Sequence, residues 1–530
     1  MNPESFTRRR LLQGGLAGSL FLPVPWAWVW AQSEGAMKLL RAPKQALVIG
    51  NSAYRSVAVL RNPGNDSAAM AEVLRATGFE VTLVQDADHA RMRAAMEAYA
   101  KALEAKKSVG LFYFAGHGFQ LDWRNYLVPV DAKVESVQDV SAQCVDVATL
   151  LDGIRQAANP MNVIVLDACR DNPFEGQVRA AQKGLSQMDA PTRTLLAYAT
   201  SPGNGADDGT GANGLYTESL LKEMKVREAK IEDVFKRVRL GVRRASGGRQ
   251  IPWESTSLEE DFYFLPPEQL RKLSREEEER EFREELALFE KARQASEPAP
   301  LVGYLRKYPS GRFAELAQHR LDQVLLAQGE KRVDIAPSAG NPFTAGTVRA
   351  DTKFKVGDSF TYGEDDRLSW GGKPTQFTLT VTAIDDARVI FNDGQAVRDL
   401  LGNSVRDRDG RDFTPRQDQP LEFSVGKRWS TTFDMRNKGR LASHTQLDFH
   451  IAGRETITVP AGTFDCFRIE VRGISRFPGR ADVDNYTTRW HAPDRVRWVI
   501  AREEIRRTVV AGHVKNLFSN RIELLSFRHG

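Results

Sequence analysis

Two residues of this chain are suited to nucleophilic chemistry, a histidine and a cysteine that each follow a strongly apolar run. His117 comes after the run at 111–115, and Cys169 comes after the run at 163–166. Such runs are typical of buried parallel strands, and ligands bind at the carboxyl ends of these strands. A thiolate attacks carbonyl carbon near neutral pH, and an imidazole holds or delivers the proton. The histidine lies 52 residues before the cysteine, which is the order and spacing of one class of cysteine peptidase dyad.

The residues beside this pair favour a catalytic role over a structural one. A single buried histidine or cysteine is usually structural, but here Gly-His-Gly and Asp-Ala-Cys motifs each follow a strand pattern. Gly116 and Gly118 carry no Cβ, so we expect them to let the backbone approach a substrate closely. The backbone N–H groups of Gly118 and Cys169 are the predicted donors of an oxyanion hole.

The elements that position these residues alternate between strand and helix patterns from residue 44 to about 265. Repeated β-α-β order predicts an α/β domain with a mostly parallel sheet and helices on both faces. We place this domain at residues 42–266. The predicted strands are 44–50, 79–84, 109–115, 163–168, 194–199 and 261–265. The predicted helices are 66–77, 90–105, 145–158, 214–224 and 231–244.

The rest of the chain divides into a helical segment, a linker and a mainly-β domain. Residues 267–330 contain a charge-rich helix with a narrow apolar stripe, interpreted as a solvated connector, and then a helical hairpin expected to pack on it. Residues 331–350 are rich in Gly, Pro, Ser and Ala, which predicts a linker. Residues 351–530 show strand patterns separated by turn residues.

The first 31 residues have the pattern of a targeting segment. Arg8 and Arg9 precede an apolar stretch that ends at Ala31, which is typical of a twin-arginine export signal. We expect residues 1–31 to be removed and the mature bacterial protein to be periplasmic or secreted, with no transmembrane span. An uncleaved N-terminal anchor is the alternative.

Composition narrows the class of protein. The net charge of +5 is spread over 74 basic and 69 acidic residues, so it does not indicate nucleic-acid binding. The chain has three cysteines, too few for an exported protein held together by disulfides. Cys144 and Cys466 are predicted to be small buried apolar residues, with a regulatory disulfide of Cys144 as an alternative.

Several segments of the predicted α/β domain match a known peptidase family. They include Leu47-Val48-Ile49-Gly50-Asn51, Tyr113-Phe114-Ala115-Gly116-His117-Gly118 and Leu166-Asp167-Ala168-Cys169-Arg170. With them, residues 44–265 resemble the catalytic domain of the caspase-like superfamily, in particular its bacterial metacaspase-like members. The resemblance implies a dyad of His117 and Cys169, without a third catalytic residue. We expect no cofactor and no metal ligands. Some members need calcium, but Asp207 and Asp208 are too weak a pattern to claim a site, and calcium activation is left open.

The resemblance also implies a substrate preference. Metacaspases cut after Arg or Lys because carboxylates line the pocket for the residue before the cut. Two carboxylates of that pocket fall here on Asp66 and Asp167, and Ala115 stands where the family often has Ser in the same pocket. The alternative for Asp66 is a helix N-cap, and the alternative for Asp167 is a carboxylate satisfied by nearby backbone.

A second resemblance concerns the C-terminal domain. The segment 490–499 resembles the end of bacterial periplasmic β-rich domains that form a curved half-barrel. That likeness carries no known chemistry and suggests a recognition or localisation module, with an envelope component as its partner.

Together these features predict a cysteine-type endopeptidase that acts on protein or peptide substrates after Arg or Lys. The polar stretch 170–193 contains Arg179, Lys183 and Arg193, which suggests self-processing. The alternatives are a catalytically silent caspase-like scaffold and an envelope-ligand-binding protein.

Overall fold

The computed structural model describes most of the chain. The described residues are 35–169, 172–178, 184–201, 211–268, 273–331, 340–368, 374–385, 387–510 and 513–530. The description of Cys169 extends to its backbone. The predicted signal at 1–31 and the residues Arg179, Lys183, Asp207 and Asp208 lie outside the described residues. Within the described part of the chain, no helix is long and apolar enough to span a membrane.

The N-terminal unit is an α/β domain, as the sequence predicts. Its strands are β1 Lys44–Gly50, β2 Glu80–Gln85, β3 Val109–Leu121, β4 Arg124–Leu127, β5 Val145–Asp146, β6 Met161–Cys169, β7 Thr194–Tyr198 and β8 Trp253–Thr256. Its helices are α1 Pro63–Ala76, α2 His89–Lys106, α3 Val137–Gln143, α4 Val147–Ala157, α5 Leu215–Glu223 and α6 Ile231–Ala245. The main sheet has the order β2-β1-β3-β6-β7-β8.

Five of these six strands are parallel, and β8 runs antiparallel to β7. The sequence places the last strand at 261–265, and that prediction is wrong. Residues 261–265 form an isolated bridge between Tyr263 and Lys230, whereas the paired strand lies earlier at β8. A four-residue edge strand carries too little alternation for the pattern to show it.

Both faces of the sheet are covered, which explains the continuous apolar runs of its central strands. Helices α1, α5 and α6 pack on one face through residues such as Met70, Leu220 and Val238. Helices α2 and α4 pack on the other face through residues such as Leu103 and Leu150. The two cores meet across β3 and β6, so these two strands are fixed from both sides.

Strand β3 is longer than the sequence predicts, and this changes the setting of the histidine. The pattern ends the strand at residue 115, but β3 continues to Leu121 and returns as the antiparallel β4. Asp122 and Trp123 both have positive φ, at 49° and 68°, and connect the two strands in a tight hairpin turn. His117 therefore lies inside a strand rather than in a loop, where its backbone is held by neighbours on both sides.

A helical unit follows, formed by α7 Arg275–Arg293, α8 Pro298–Lys307 and α9 Ala314–Ala327. The hairpin of α8 and α9 packs on α7, as predicted, through a core that includes Phe289, Tyr304 and Leu321. Interpreting α7 as a solvated connector is wrong, because Phe282 is fully buried and Glu285 is 1% exposed. The narrow stripe is enough to bury one face because both hairpin helices cover it.

The C-terminal unit is mainly β, as predicted, but its strands close into a full barrel rather than a half-barrel. The twelve antiparallel barrel strands are β10 Ser359–Asp366, β11 Thr375–Ile384, β12 Arg388–Phe391, β13 Ala396–Asp399, β14 Ser404–Arg406, β15 Arg411–Phe413, β17 Arg428–Asn437, β18 Arg440–Val459, β19 Gly462–Arg476, β20 Val483–His491, β21 Val499–Val510 and β22 His513–Arg528. Closure comes from pairing of β10 with β22. A separate pair, β9 Val348–Arg349 and β16 Glu422–Phe423, lies beside the barrel.

Two smaller features concern the linker and the cysteines. Part of the predicted linker is packed, because Asn341 is 6% exposed and residues 348–349 form β9. Cys144 and Cys466 are 3% and 0% exposed and unpaired, which confirms them as small buried residues. Burial raises the pKa of each thiol to about 12, so neither is a reactive thiolate.

Candidate active site

The sheet register places the backbones of His117 and Cys169 side by side. Strands β3 and β6 are parallel neighbours, and His117 is the register partner of Cys169. Adjacent strands lie about 4.8 Å apart, so 52 residues of sequence separation become one inter-strand spacing. The two motifs that the sequence singles out therefore meet where the parallel pairing of β3 with β6 ends.

The imidazole of His117 is oriented by a backbone carbonyl. Its Nε2 lies 2.7 Å from the oxygen of Ala58, in the loop between β1 and α1. A carbonyl oxygen only accepts hydrogen bonds, so Nε2 is the donor and carries the proton. In the neutral ring the lone pair then belongs to Nδ1, which is the nitrogen that can take a proton from a nucleophile.

Tyr54 is a site residue that the sequence reasoning missed. Its hydroxyl accepts the backbone N–H of His117 at 2.7 Å and donates to the oxygen of Val128 at 3.3 Å. Its ring also contacts the imidazole, with centroids 4.6 Å apart. The only sequence signal is its position just after β1, at the same sheet edge as the dyad.

Neighbouring side chains occupy the space that a Cβ would need at the two glycines beside the histidine. A Cβ at Gly116 would stand 2.6 Å from Oη of Tyr54, and a Cβ at Gly118 would stand 2.8 Å from Cβ of Ala168. Real Cβ atoms do not approach that closely. The expectation that these glycines open the backbone to a substrate is thus replaced by a packing requirement at both positions.

The backbone of Gly118 is oriented towards the strand that carries Cys169. The oxygens of Ala115 and His117 accept from Asn51 and Val128 at 2.9 and 3.0 Å, on the β1 side of β3. Successive residues of a strand direct their N–H groups to opposite edges. The N–H of Gly118 therefore faces the β6 side, which is the geometry that a donor to an oxyanion at Cys169 needs.

The two carboxylates predicted for the substrate pocket lie close together. A Cβ built on Gly214 would stand 3.4 Å from Oδ2 of Asp66 and 4.0 Å from Oδ2 of Asp167. Asp66 lies in the first turn of α1, whose N-cap is Asn62, so the N-cap interpretation of Asp66 is wrong. Its Oδ1 accepts the backbone N–H of Gly214 at 3.0 Å.

Two side-chain hydroxyls contact Asp167. The hydroxyl of Thr217 donates to Oδ2 at 2.5 Å, and Tyr113 donates to the Thr217 oxygen, with its own Oη 3.4 Å from Asp167. Burial, and then the charges of Asp167 and Asp66, raise the pKa of Tyr113 well above its ordinary value. The phenol of Tyr113 therefore stays a neutral hydrogen-bond donor.

Ala115 lies under this pocket rather than at its surface. It is 1% exposed, is the register partner of Asp167, and belongs to the apolar core beneath the sheet. The structure therefore does not place the Ala115 side chain where a substrate would touch it. Among the described residues, no group of His, Cys, Asp and Glu is arranged to hold a metal ion.

Comparison with known proteins identifies the N-terminal unit. A family model described as the caspase domain matches residues 43–263. The human mucosa-associated lymphoid tissue lymphoma translocation protein 1 is 30% identical over 196 residues, which cover 36% of this chain and 23% of the relative. Its homolog from Mus musculus is 28% identical over 236 residues, covering 43% of this chain and 27% of the relative. The chain thus spans about a quarter of the length of these relatives. The matched region, the fold and the site together place the domain at residues 43–263 in the caspase-like superfamily.

Proposed function

We propose that this protein is a cysteine-type endopeptidase that cuts peptide bonds after Arg or Lys, as metacaspase-like peptidases do. The observation that carries the proposal is that the carboxylates of Asp66 and Asp167 both lie near Gly214, with Asp167 two residues before Cys169 in the same strand. The caspase domain match supports a peptidase of this class.

The reaction that we propose begins at Cys169. Its thiol gives its proton to Nδ1 of His117, and the thiolate attacks the carbonyl carbon of the substrate. The N–H groups of Gly118 and Cys169 stabilise the oxyanion. The imidazolium then protonates the leaving amine, and the C–N bond breaks to give an acyl-enzyme. Water, deprotonated by His117, hydrolyses the thioester and restores the thiol.

The substrate preference follows from charge and geometry. A guanidinium between Asp66 and Asp167 would bond to carboxylates from two directions, and charge-assisted bonds of this kind are about twice as strong as neutral ones. Arginine gains more than lysine because its planar fork presents several donors at once. A lysine ammonium offers one point charge to the same pocket, so we expect cleavage after Arg to be faster.

The test uses fluorogenic peptides that differ only in the residue before the cut, namely Arg, Lys, Asp or norleucine. Each is assayed with wild type, Cys169→Ala, Asp167→Asn and Asp66→Asn, with and without calcium. We expect cleavage after Arg and Lys only, none with Cys169→Ala, and a fall in kcat/KM of about 10²-fold or more for either Asn variant. Prolonged incubation of the same samples, followed by mass spectrometry of the chains, tests self-processing after Arg179, Lys183 or Arg193.

A matched control separates the pocket carboxylates from carboxylates in general. Asp152 is more than half exposed and pairs with Arg155 on α4, so Asp152→Asn should leave activity unchanged. Preferred cleavage after Asp would contradict the pocket assignment, and no cleavage of any peptide would favour a catalytically silent scaffold.

The cellular setting is also a proposal. The twin-arginine pattern at Arg8 and Arg9 supports export of a folded protein to the periplasm or beyond it, in a bacterium. We propose protein or peptide substrates there and an envelope component as partner of the barrel. Fractionation of cells that express the chain with Arg8 and Arg9 intact or replaced by Lys tests this location.

A further inference from the structure

The loop that precedes β7 contacts the residues next to both members of the dyad. This loop, residues 184–190, is called here the Leu185 loop. A Cβ built on Gly118 would stand 2.8 Å from Ala168 Cβ and 3.4 Å from Leu185 Cδ2, so the three residues are mutual neighbours. Leu185 is 7% exposed and belongs to the same core as Ala168. Its side chain therefore restricts the position of both strand ends.

The Leu185 loop is held on one side by β4. The side-chain oxygen of Asn125 accepts the N–H of Ser186 at 2.6 Å, and its amide donates to the oxygen of Ser186 at 2.9 Å. Asn125 is fully buried and lies in the strand that pairs with the end of β3. This paired contact fixes one residue of the loop but not its remainder.

The rest of the loop is held by a segment more than 150 residues later in the chain. Residues 341–347, called here the docking segment, lie between the helical unit and β9. The amide of Asn341 donates to Oγ of Ser186 at 2.9 Å and to the oxygen of Gln187 at 2.8 Å. The amide of Gln187 donates to Thr347 Oγ1 at 2.7 Å.

Asp189 is the most heavily bonded residue of this contact. Its N–H donates to the oxygen of Phe343 at 3.0 Å. Its two carboxylate oxygens accept from Thr344 Oγ1 and from the N–H of Ala345, each at 2.6 Å. Three hydrogen bonds thus join half-buried residues of two segments that are distant in sequence, which makes the contact specific.

The docking segment is in turn tied to the barrel. A guanidinium nitrogen of Arg454, in β18, donates to the oxygen of Ala345 at 2.7 Å. Immediately after the segment, Val348 and Arg349 form β9 and pair with β16. The path from barrel to dyad is thus continuous, through Ala345, Asp189 and Leu185.

We propose that the docking segment is a positioning element for catalysis: it holds the Leu185 loop against Gly118 and Ala168, so the dyad and the oxyanion donor are set only when the C-terminal half of the chain is in place. The proposal rests on the peptidase function proposed above. Asn341 and Asp189 are its positioning residues, and neither touches the substrate.

The test compares full-length wild type, Asn341→Ala, Asp189→Ala and Asp189→Asn, with Asp152→Asn as the surface control. Three quantities are measured: kcat and KM for the best peptide, the rate at which iodoacetamide alkylates Cys169, and amide hydrogen exchange of residues 184–190. The second and third do not depend on peptide specificity.

We expect Asn341→Ala and Asp189→Ala to raise exchange in residues 184–190 and to lower kcat by about 10-fold or more, because small misplacements of reacting groups have effects of this size. KM should change less than twofold, since Asp66 lies on α1 and the side chain of Asp167 lies on the opposite face of β6 from Ala168, which the loop contacts. Alkylation of Cys169 should slow in parallel, and Asp189→Asn, which keeps one acceptor oxygen, should recover part of the loss.

Unchanged exchange in residues 184–190 would overturn the proposal, as would raised exchange with normal kcat and normal alkylation. If wild type cleaves no peptide, the peptidase proposal fails by itself. Exchange and alkylation then still decide whether the docking segment positions the site.

Discussion

At the scale of single residues, the imidazole of His117 bonds to a backbone carbonyl, and the backbone N–H of His117 bonds to a tyrosine hydroxyl. The carbonyl of Ala58 fixes the tautomer of His117 at 2.7 Å, and the hydroxyl of Tyr54 replaces a backbone partner for its N–H. Because Nε2 donates to this carbonyl, Nδ1 is the nitrogen of the neutral ring that can accept a proton. This arrangement is consistent with a dyad.

Removing the hydroxyl of Tyr54 should therefore affect both stability and catalysis. Tyr54→Phe takes a bonding partner from the N–H of His117 and from the oxygen of Val128, and we expect a loss of about 1–3 kcal/mol in unfolding free energy. The peptidase kcat should fall as the ring shifts. Chemical denaturation and peptide kinetics measure the two effects.

Tyr99→Phe is the matched control for this prediction. The Tyr99 hydroxyl is buried with no hydrogen-bond partner among the described residues, so its removal should be neutral or stabilising. Equal losses for the two variants would show that the bridge at Tyr54 has no special importance.

At the scale of elements, helix α7, predicted to be a solvated connector, supplies part of the apolar core of the helical unit. Helix α7 begins with a capping box at Ser274 and Glu277 and buries Phe282 and Phe289 under the hairpin of α8 and α9. Its buried Glu285 accepts from Tyr304 Oη and from the guanidinium of Arg312, each at 2.8 Å. Arg283, a partly exposed residue of the same helix, pairs with Asp434 of the barrel.

The buried carboxylate of Glu285 should therefore control the stability of this unit. Glu285→Ala leaves the Arg312 charge and the Tyr304 hydroxyl without their acceptor, and breaking such a pair costs about 3–5 kcal/mol. Glu285→Gln keeps the shape and should cost less. Glu279→Ala, at an exposed pair of the same helix, should change the unfolding free energy by less than about 1 kcal/mol. Denaturant unfolding of the three variants tests the order, and a Glu285→Ala variant as stable as Glu279→Ala would refute it.

At the scale of the whole molecule, ion pairs connect the three units. Asp322 of α9 bonds to Arg243 of the N-terminal α/β domain and to Arg349 of β9. Burial raises the pKa of Asp322, but the two guanidinium groups outweigh it and hold the pKa below the ordinary value of 3.8. Asp434 behaves in the same way, with His444 and Arg283 as its partners.

Because folding lowers the pKa of Asp322, the free energy of unfolding should fall as the pH becomes acidic. The stabilisation from Asp322 is fully present above about pH 4, the ordinary pKa, and is lost as the pH falls through the lowered value. We expect Asp322→Asn to lower the unfolding free energy at pH 7 by roughly 1–3 kcal/mol and to flatten its dependence on pH below 4. Denaturant unfolding between pH 3 and 7 measures both, with Asp152→Asn as the control. An unchanged slope below pH 4 would contradict the assignment.

The sequence by itself determined the α/β class and most elements of the sheet, and it singled out the His117 and Cys169 motifs, Asp66 and Asp167 as candidate site residues. These features are local, because apolar runs and helical periods depend on residues near one another in the chain. The same reasoning ended β3 too early and missed β8, since a short strand is defined by its partners and not by its own pattern.

Tertiary structure decided what surrounds the dyad. The register that sets His117 beside Cys169, the hydroxyl of Tyr54 and the carbonyl of Ala58 come from separate segments that only folding unites. The docking segment is the extreme case, since Asn341 and Ser186 are 155 residues apart in sequence. Contacts of that separation leave no period or motif in a single sequence, so the chain specifies the chemical groups of the site, and packing between distant segments specifies their geometry.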